Sequence, residues 1–294
     1  MGSRSPPKLP TINFSVEDLK PGSSSWLSTS KQVRYALEEY GCFVAFYDKV
    51  SAELLDKIFG QTKDLFEVPI ESKIKNTSEE PYRGYIGSNP LMPLYEGLAI
   101  DNVTSPQETH KFRQLMWPDG KNNFCEIIDS YAELLAGLEH TVEQMLFESF
   151  EAAKQYESVA SYNSQLLRFL KYNTLKETDA TLRSKQREGD WISIESAPSQ
   201  FLFMAGDGLQ VWSNDRIKAC HYRVKDCGDK IRYSLGMFTF NNGVLQVPQE
   251  LVDDSHPLLY NPFDSRGFIR FYTTAEAKKA KSPIKAYCGV GLEN

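Results

Sequence analysis

The chain has 294 residues, of which 41% are hydrophobic and 24% charged, and its net charge is −6. That length holds one large domain or two modest ones with a sizeable core, and the composition excludes a disordered or membrane chain. The positive charges are scattered over a mildly acidic whole, which excludes a nucleic-acid footprint. In chain order, PTINFS reads as a short alternating strand, followed by a polar Gly/Ser loop and a helix capped near Ser28 to Ser30. Val33, Ala36, Leu37 and Tyr40 share one face of that helix, with Gly41 at its C-terminal cap. CFVAFY gives a buried strand. Ser51 caps a second helix, on which Leu54, Leu55, Ile58, Leu65 and Phe66 recur at helical spacing until Pro69 stops it.

The stretch 71–114, with Pro and Gly every few residues, is expected to be irregular and to loop over a pocket. From Phe124 to Phe150 the apolar residues recur every three or four positions, which predicts the longest helix, packed along a sheet. Beyond residue 165 the period changes to two. QLLRFLKYN, WISIES, SQFLFMAG, LQVWSN, KACHYRV and IRYSLGMFTF all read as short strands separated by turns. The reading is an α+β protein with a jelly-roll core and a supporting long helix. The five cysteines Cys42, Cys125, Cys220, Cys227 and Cys288 form no Cys-x-x-Cys pair, and their odd number predicts no disulfide framework. No apolar run is long enough to cross a bilayer, and the opening MGSRSPPKLP lacks the hydrophobic segment of a secretion signal, so the cytosol is the expected compartment.

Several segments carry a family resemblance. LEEYGCFVAFY and LFEVPIESK in the first half, MWPDG between the halves, and GDWISIESAPSQFLFMAGDGLQVWSNDRIKACHYRV, RYSLGMFTF, HPLLYNPF and SPIKAYCG in the second resemble the plant iron(II)- and 2-oxoglutarate-dependent dioxygenases. The similarity runs nearly end to end and is closest to the branch acting on specialised metabolites. It implies a double-stranded β-helix core behind an N-terminal α/β region, divided as residues 1–115 and 116–294 of one compact unit. It also implies a facial triad of two histidines and a carboxylate for Fe(II), and an Arg-x-Ser clamp for the far carboxylate of 2-oxoglutarate. By similarity, His221 matches the second triad histidine, Arg232 and Ser234 the clamp, and Tyr172 a tyrosine that assists it. Phe112, Met116 and Phe238 are expected to line the pocket.

The other half of that site is a His-x-Asp or His-x-Glu after LLRFLKYN. The chain has four histidines: His110 is followed by Lys-Phe, His140 by Thr-Val, His221 by Tyr-Arg and His256 by Pro-Leu. Between Asn173 and Trp191 lie 17 residues, eight of them charged and only Leu175, Ala180 and Leu182 apolar. Two strands and a turn need about 12 to 16 residues, half of them facing a core. This segment therefore reads as a solvated loop left by an internal deletion in the core, which is short of strands as a result. Glu177 or Asp179 on such a loop would make poor replacement ligands without partners to orient them.

Several readings of these residues stay open. His221 is either a hydrogen-bonded strand histidine or, freed of metal, an acid or base. Tyr172 is either core packing or a proton-transfer group. Arg232, set among apolar residues, requires an anionic partner. No iron and no obligate cofactor are expected, while 2-oxoglutarate or another carboxylate still binds. The expected partner is a small plant metabolite, with no nucleic acid or membrane. The favoured function is redox-neutral chemistry of isomerase, cyclase, epimerase or lyase type. The alternatives are a non-catalytic ligand binder or splice product, and an oxygenase with a rebuilt metal site. The lost strands leave edges that residues 174–190 cover, or that pair in a homodimer.

Overall fold

The fold is seen in a computed structural model that describes residues 8–87, 94–121, 123–173, 182–185, 191–194, 197–224 and 230–291. Strand β1 (Thr11–Asn13) leads to helix α1 (Ser24–Tyr40), whose N-cap Ser23 accepts from the backbone N–H of Trp26. The helix begins earlier than the Ser28 to Ser30 cap read from sequence, because Trp26 belongs to its buried face and ties it to Glu148 through an indole hydrogen bond of 2.6 Å. Gly41 closes α1 at φ 69°, and β2 (Cys42–Phe46) follows at once. Ser51 caps α2 (Ala52–Phe66) as its spacing predicts, and Pro69 precedes the single turn α3 (Ile70–Lys73).

The stretch read as irregular contains two regular elements, β3 (Tyr95–Ile100) and α4 (Pro106–Met116). Pro106 misleads here because it sits in the first helical turn, where a missing N–H costs nothing. Helix α5 (Phe124–Ser149) is the long helix expected, and α6 (Tyr156–Ala160) follows it. Then come β4 (Asn163–Tyr172), β5 (Leu182–Lys185), β6 (Trp191–Ile194) and β7 (Gln200–Met204). LQVWSN, read as a strand, forms the helical turn α7 (Asp207–Trp212). Gln210, Val211 and Trp212 are buried consecutively, and the Gln210 amide satisfies Asp215, Tyr260 and the N–H of Ala219, a pattern that mimics alternation in sequence. Strands β8 (Tyr222–Val224), β9 (Arg232–Asn241), β10 (Val244–Leu245) and β11 (Phe263–Asp264) precede a helical tail, α8 (Ser265–Tyr272), α9 (Ala275–Lys279) and α10 (Pro283–Cys288).

Among the described residues the strands assemble as β1-β2-β7, β3-β4-β9, β6-β5-β8 and β10-β11. Because β2 pairs antiparallel with β7, the two expected halves share a sheet. The segment 174–190, read as a solvated loop, supplies β5, the central strand between β6 and β8. Its sequence Leu-Arg-Ser-Lys holds one apolar residue, so the alternation that signals a strand is missing there. The rest of that segment lies outside the described residues. The β3 edge is covered by the Ile86–Gly97 bridge and by Asn76, whose amide spans the N–H and carbonyl of Ala99.

The sheet β3-β4-β9 has two unlike faces, since successive strand residues point to opposite sides. Leu98, Ile100, Leu167 and Phe169 join the main core, built with Ile127, Ile128, Val142 and Met145 of α5. Toward one end of this interface Glu139 and Glu143 lie one helical turn apart on α5, Glu139 beside Thr239 and Gln165, and Glu143 accepting from the Asn163 amide at 3.2 Å. Burial pushes both carboxyls up, and the neighbouring Glu139 charge adds to the rise at Glu143, which reaches about 8.

With its pKa raised above the ordinary 4.5, Glu143 keeps a proton in the folded chain that the unfolded chain releases, so stability falls as pH climbs from 4.5 toward about 8. Glu143→Gln keeps an oxygen for Asn163 and removes the titration. In thermal unfolding the variant is expected to melt above the wild type near the upper end of that window, with the gap closing toward the lower end.

Candidate functional site

The register of the main sheet assembles the site. Tyr95, Tyr172 and Arg232 form one cross-strand row, and Gly97, Leu170 and Ser234 form the next. Both rows lie on the face away from α5. The Arg232 guanidinium stands 5.9 Å from the centroid of the Tyr172 ring, within cation–π range. No acidic side chain pairs with it among the described residues. The three clamp residues expected from sequence are therefore brought together on neighbouring strands, with a cation that has no acidic partner among the described residues.

Phe238 shares this face, and its ring lies over Gly236, where an added Cβ would come within 3.0 Å of it. Phe112 and Met116 stand elsewhere. They are buried in the core on the other side of the sheet, where Phe112 stacks between Phe124 and Phe169. The structure thus gathers Tyr172, Arg232, Ser234 and Phe238 on one face and sets Phe112 and Met116 behind it.

His221 is exposed and immediately precedes β8. Its nearest acid is Asp207, at the start of α7: burial pushes the Asp207 carboxyl up, while the backbone N–H and His221 draw it down. The chain before His221 is anchored by backbone, with Cys220 N–H donating to Ala205 O at 2.9 Å and Ala205 N–H to Gly41 O at 2.8 Å. The Cys220 thiol meets that of Cys42, and this contact together with burial pushes its pKa up. Strand β8 lies close to the main sheet, since Tyr222 bears on the Tyr95 hydroxyl. Sequence reading missed Asp207, although Gly-Asp-Gly before an apolar turn is a helix-start signal. It also missed Arg168, a charged residue four positions before Tyr172 and so on the same face of β4.

Two groups can be tested against these residues. A dicarboxylate such as 2-oxoglutarate fits, because Arg232 has no acidic partner among the described residues and a hydroxyl, Ser234, lies one row away. Iron does not fit the described donors: no cluster of three histidine, cysteine or acidic side chains occurs among them, and His221 has only Asp207 at hand. Glu177 and Asp179 lie outside the described residues.

The chain resembles known proteins along nearly its whole length. Residues 9–119 match the N-terminal family described for the non-haem dioxygenase in morphine synthesis, and residues 151–241 match the 2OG-Fe(II) oxygenase superfamily. The probable 2-oxoglutarate-dependent dioxygenase AOP1.2 of Arabidopsis thaliana is 34% identical, over 95% of each chain. The chain belongs to the plant 2-oxoglutarate-dependent dioxygenase family, in the branch of specialised metabolism. A second Arabidopsis thaliana relative, 28% identical over 96% of this chain and 98% of its own, is the probable inactive 2-oxoglutarate-dependent dioxygenase AOP2. The crystal structure of the rice dioxygenase for auxin oxidation superposes with a TM-score of 0.75 or better, at 0.78, with 22% identity over 96% of this chain and all of that one. The fold is accordingly α+β with a double-stranded β-helix core.

Two outcomes follow from the site. At a hundred times its dissociation constant, a dicarboxylate held by Arg232 adds about 2.7 kcal/mol to folding stability, so 2-oxoglutarate is expected to raise the melting temperature and Arg232→Met to abolish the rise. Gly41→Ala is expected to destabilise the fold by about 2 kcal/mol or more in urea unfolding, because φ 69° penalises a side chain and its Cβ would lie 2.7 Å from the Lys218 carbonyl oxygen.

Proposed function

We propose that the chain is a dioxygenase-family protein that has kept the carboxylate clamp and lost the iron site, and that it acts on a small plant metabolite by redox-neutral chemistry of isomerase, cyclase, epimerase or lyase type. The observation that carries this reading is the donor set. The family's oxygen chemistry needs two histidines and a carboxylate on one metal, and none of the four histidines here begins a His-x-Asp or His-x-Glu. The alignment with the 34% identical relative supports a deletion: it spans 310 positions against a chain of 294 residues, so at least 16 positions of that relative have no counterpart here.

Arg232, Ser234 and Tyr172 would hold a carboxylate and fix the orientation of what carries it. Bound 2-oxoglutarate would supply that carboxylate, or the substrate its own. His221 is exposed and close enough to Asp207 to draw its carboxyl down, which sets an imidazole and a carboxyl near one another at the rim. The His221 imidazole at the rim and a phenol at Tyr172 can take a proton from one position of a bound molecule and return one at another, which leaves its oxidation level unchanged.

The test is incubation of candidate plant metabolites with the purified protein, with and without EDTA and under nitrogen, following product mass. Turnover is expected to persist in all conditions, with products isomeric to the substrate or related to it by elimination, and to fall about 10²- to 10⁴-fold in His221→Ala. A product heavier by one oxygen, or succinate released in step with turnover, would show an oxygenase with a rebuilt metal site. The similarity to the inactive relative favours a second reading, a ligand-binding protein without catalysis; carboxylate binding without any turnover would establish that one instead.

A further inference from the structure

Arg168 sits in the middle of the Arg232 face and is 7% exposed. Its Nη1 donates to the Tyr82 carbonyl at 2.9 Å and its Nη2 to the Tyr95 hydroxyl at 3.1 Å, while its buried Nε has no partner. No acidic side chain pairs with it among the described residues. A guanidinium withdrawn from water without an anion is strongly unfavourable, and interiors tolerate one where a ligand supplies the missing charge. Lys73 shows the contrast: equally buried, it is paired with Glu96 at 2.6 Å.

The surroundings of Arg168 suit such a ligand. Its cross-strand neighbours are Ala99 and Gly236, and the Phe238 ring lies over Gly236, so the guanidinium is flanked by an aromatic face. Gly97 allows Tyr95 to reach Arg168, since a Cβ there would lie 2.8 Å from the Tyr95 hydroxyl and 3.0 Å from Arg168 Nη2. The Tyr95 hydroxyl accepts from Arg168 and so keeps its own proton free to donate. Arg83, the residue after Tyr82, is already neutralised by Asp101 and does not compete for the same anion. Leu166, Leu170 and Phe238 make the rest of this face apolar.

Resting on the reading that this face binds small molecules, we propose that Arg168 and Tyr95 form a second carboxylate subsite beside the clamp, since Tyr95 shares the cross-strand row of Tyr172 and Arg232 and its ring centroid lies 5.5 Å from that of Tyr172. It takes the acidic head of a monocarboxylate metabolite whose apolar body lies along Leu166, Leu170 and Phe238. The substrate class is thereby a carboxylic acid with a hydrophobic skeleton, distinct from the dicarboxylate read by Arg232.

The experiment is a thermal-shift and calorimetric titration of the full chain with phenylacetate, cinnamate and octanoate at millimolar concentration, each beside its methyl ester, with inorganic sulfate and 2-oxoglutarate in parallel. At least one acid is expected to raise the melting temperature while its ester and sulfate do not. Arg168→Gln is expected to weaken that acid about tenfold or more and to leave the 2-oxoglutarate response intact, and Arg232→Met to do the reverse. Tyr95→Phe should weaken the acid alone. Equal shifts from acid and ester, an equal shift from sulfate, no shift from any acid, or acid binding unchanged in Arg168→Gln would each overturn the subsite. Loss of the 2-oxoglutarate response in the unaltered chain, with the acid response kept, would instead overturn the Arg232 reading and uphold this one. If Arg168→Gln does not fold, the acid and ester comparison in the unaltered chain decides the matter.

Discussion

The ten-residue ladder between β4 and β9 is the constraint on which the rest depends. It runs from Asn163 opposite Asn241 to Tyr172 opposite Arg232 without a bulge. Because side chains alternate, one register places Leu167 and Phe169 against α5 and, by the same act, Arg232, Ser234 and Arg168 on the far face. A slip of one residue would bury the arginines among the apolar side chains of the core and expose the phenylalanines. The hydrophobic demand of the helical side therefore fixes the positions of the charged side. This is why the clamp geometry needs no other part of the barrel to hold it.

The same logic explains what could be read from the sequence. Gly41 and Ser51 were legible because a left-handed cap and an N-cap hydroxyl are local chemistry. The long helix was legible because Ile127, Ile128, Leu138, Val142 and Met145 all face one core. Arg232, Ser234 and Tyr172 were legible through resemblance, and their row then follows from the ladder. What escaped was set by tertiary context: β5 is paired on both sides by backbone with little apolar sequence, and α7 buries Gln210 through hydrogen bonds and so breaks the expected helical pattern. The placing of Phe112 behind the sheet was equally hidden, since one aromatic residue on a helix looks the same whether it faces a ligand or the core.

Two kinds of buried charge are treated differently in this chain. At the C-terminal tail, Asp215 gathers Lys218, Lys285, the Gln210 amide and the Tyr260 hydroxyl, and these partners outweigh burial to hold its carboxyl well below the usual range. That network ties α10 to the residues just ahead of Cys220 and His221, so the tail steadies the approach to the site. On the main sheet, by contrast, Arg232 and Arg168 have no acidic partner among the described residues. Evolution and physics both permit such a cation on a face where a ligand completes it, and the loss in stability is offset by the core on the other side of the same strands.

His221 immediately precedes β8, a strand of a different sheet from the one that carries the clamp. The clamp end rests on the longest ladder in the molecule and survives whatever happens to the strands beyond residue 173. The metal end in this family depends on strands from that very region, and here only β5 is described within it. His221 is exposed just before the three-residue strand β8, and among the described residues it belongs to no cluster of three histidine, cysteine or acidic side chains, whereas a facial triad requires two histidines and a carboxylate. The parts that remain, an anion-reading sheet, an apolar surface and a titratable ring at its rim, are those that position a molecule and move its protons. Under the proposed reading, binding and proton transfer rest on what the β4–β9 register supplies, whereas oxygen chemistry would rest on a metal end outside that ladder.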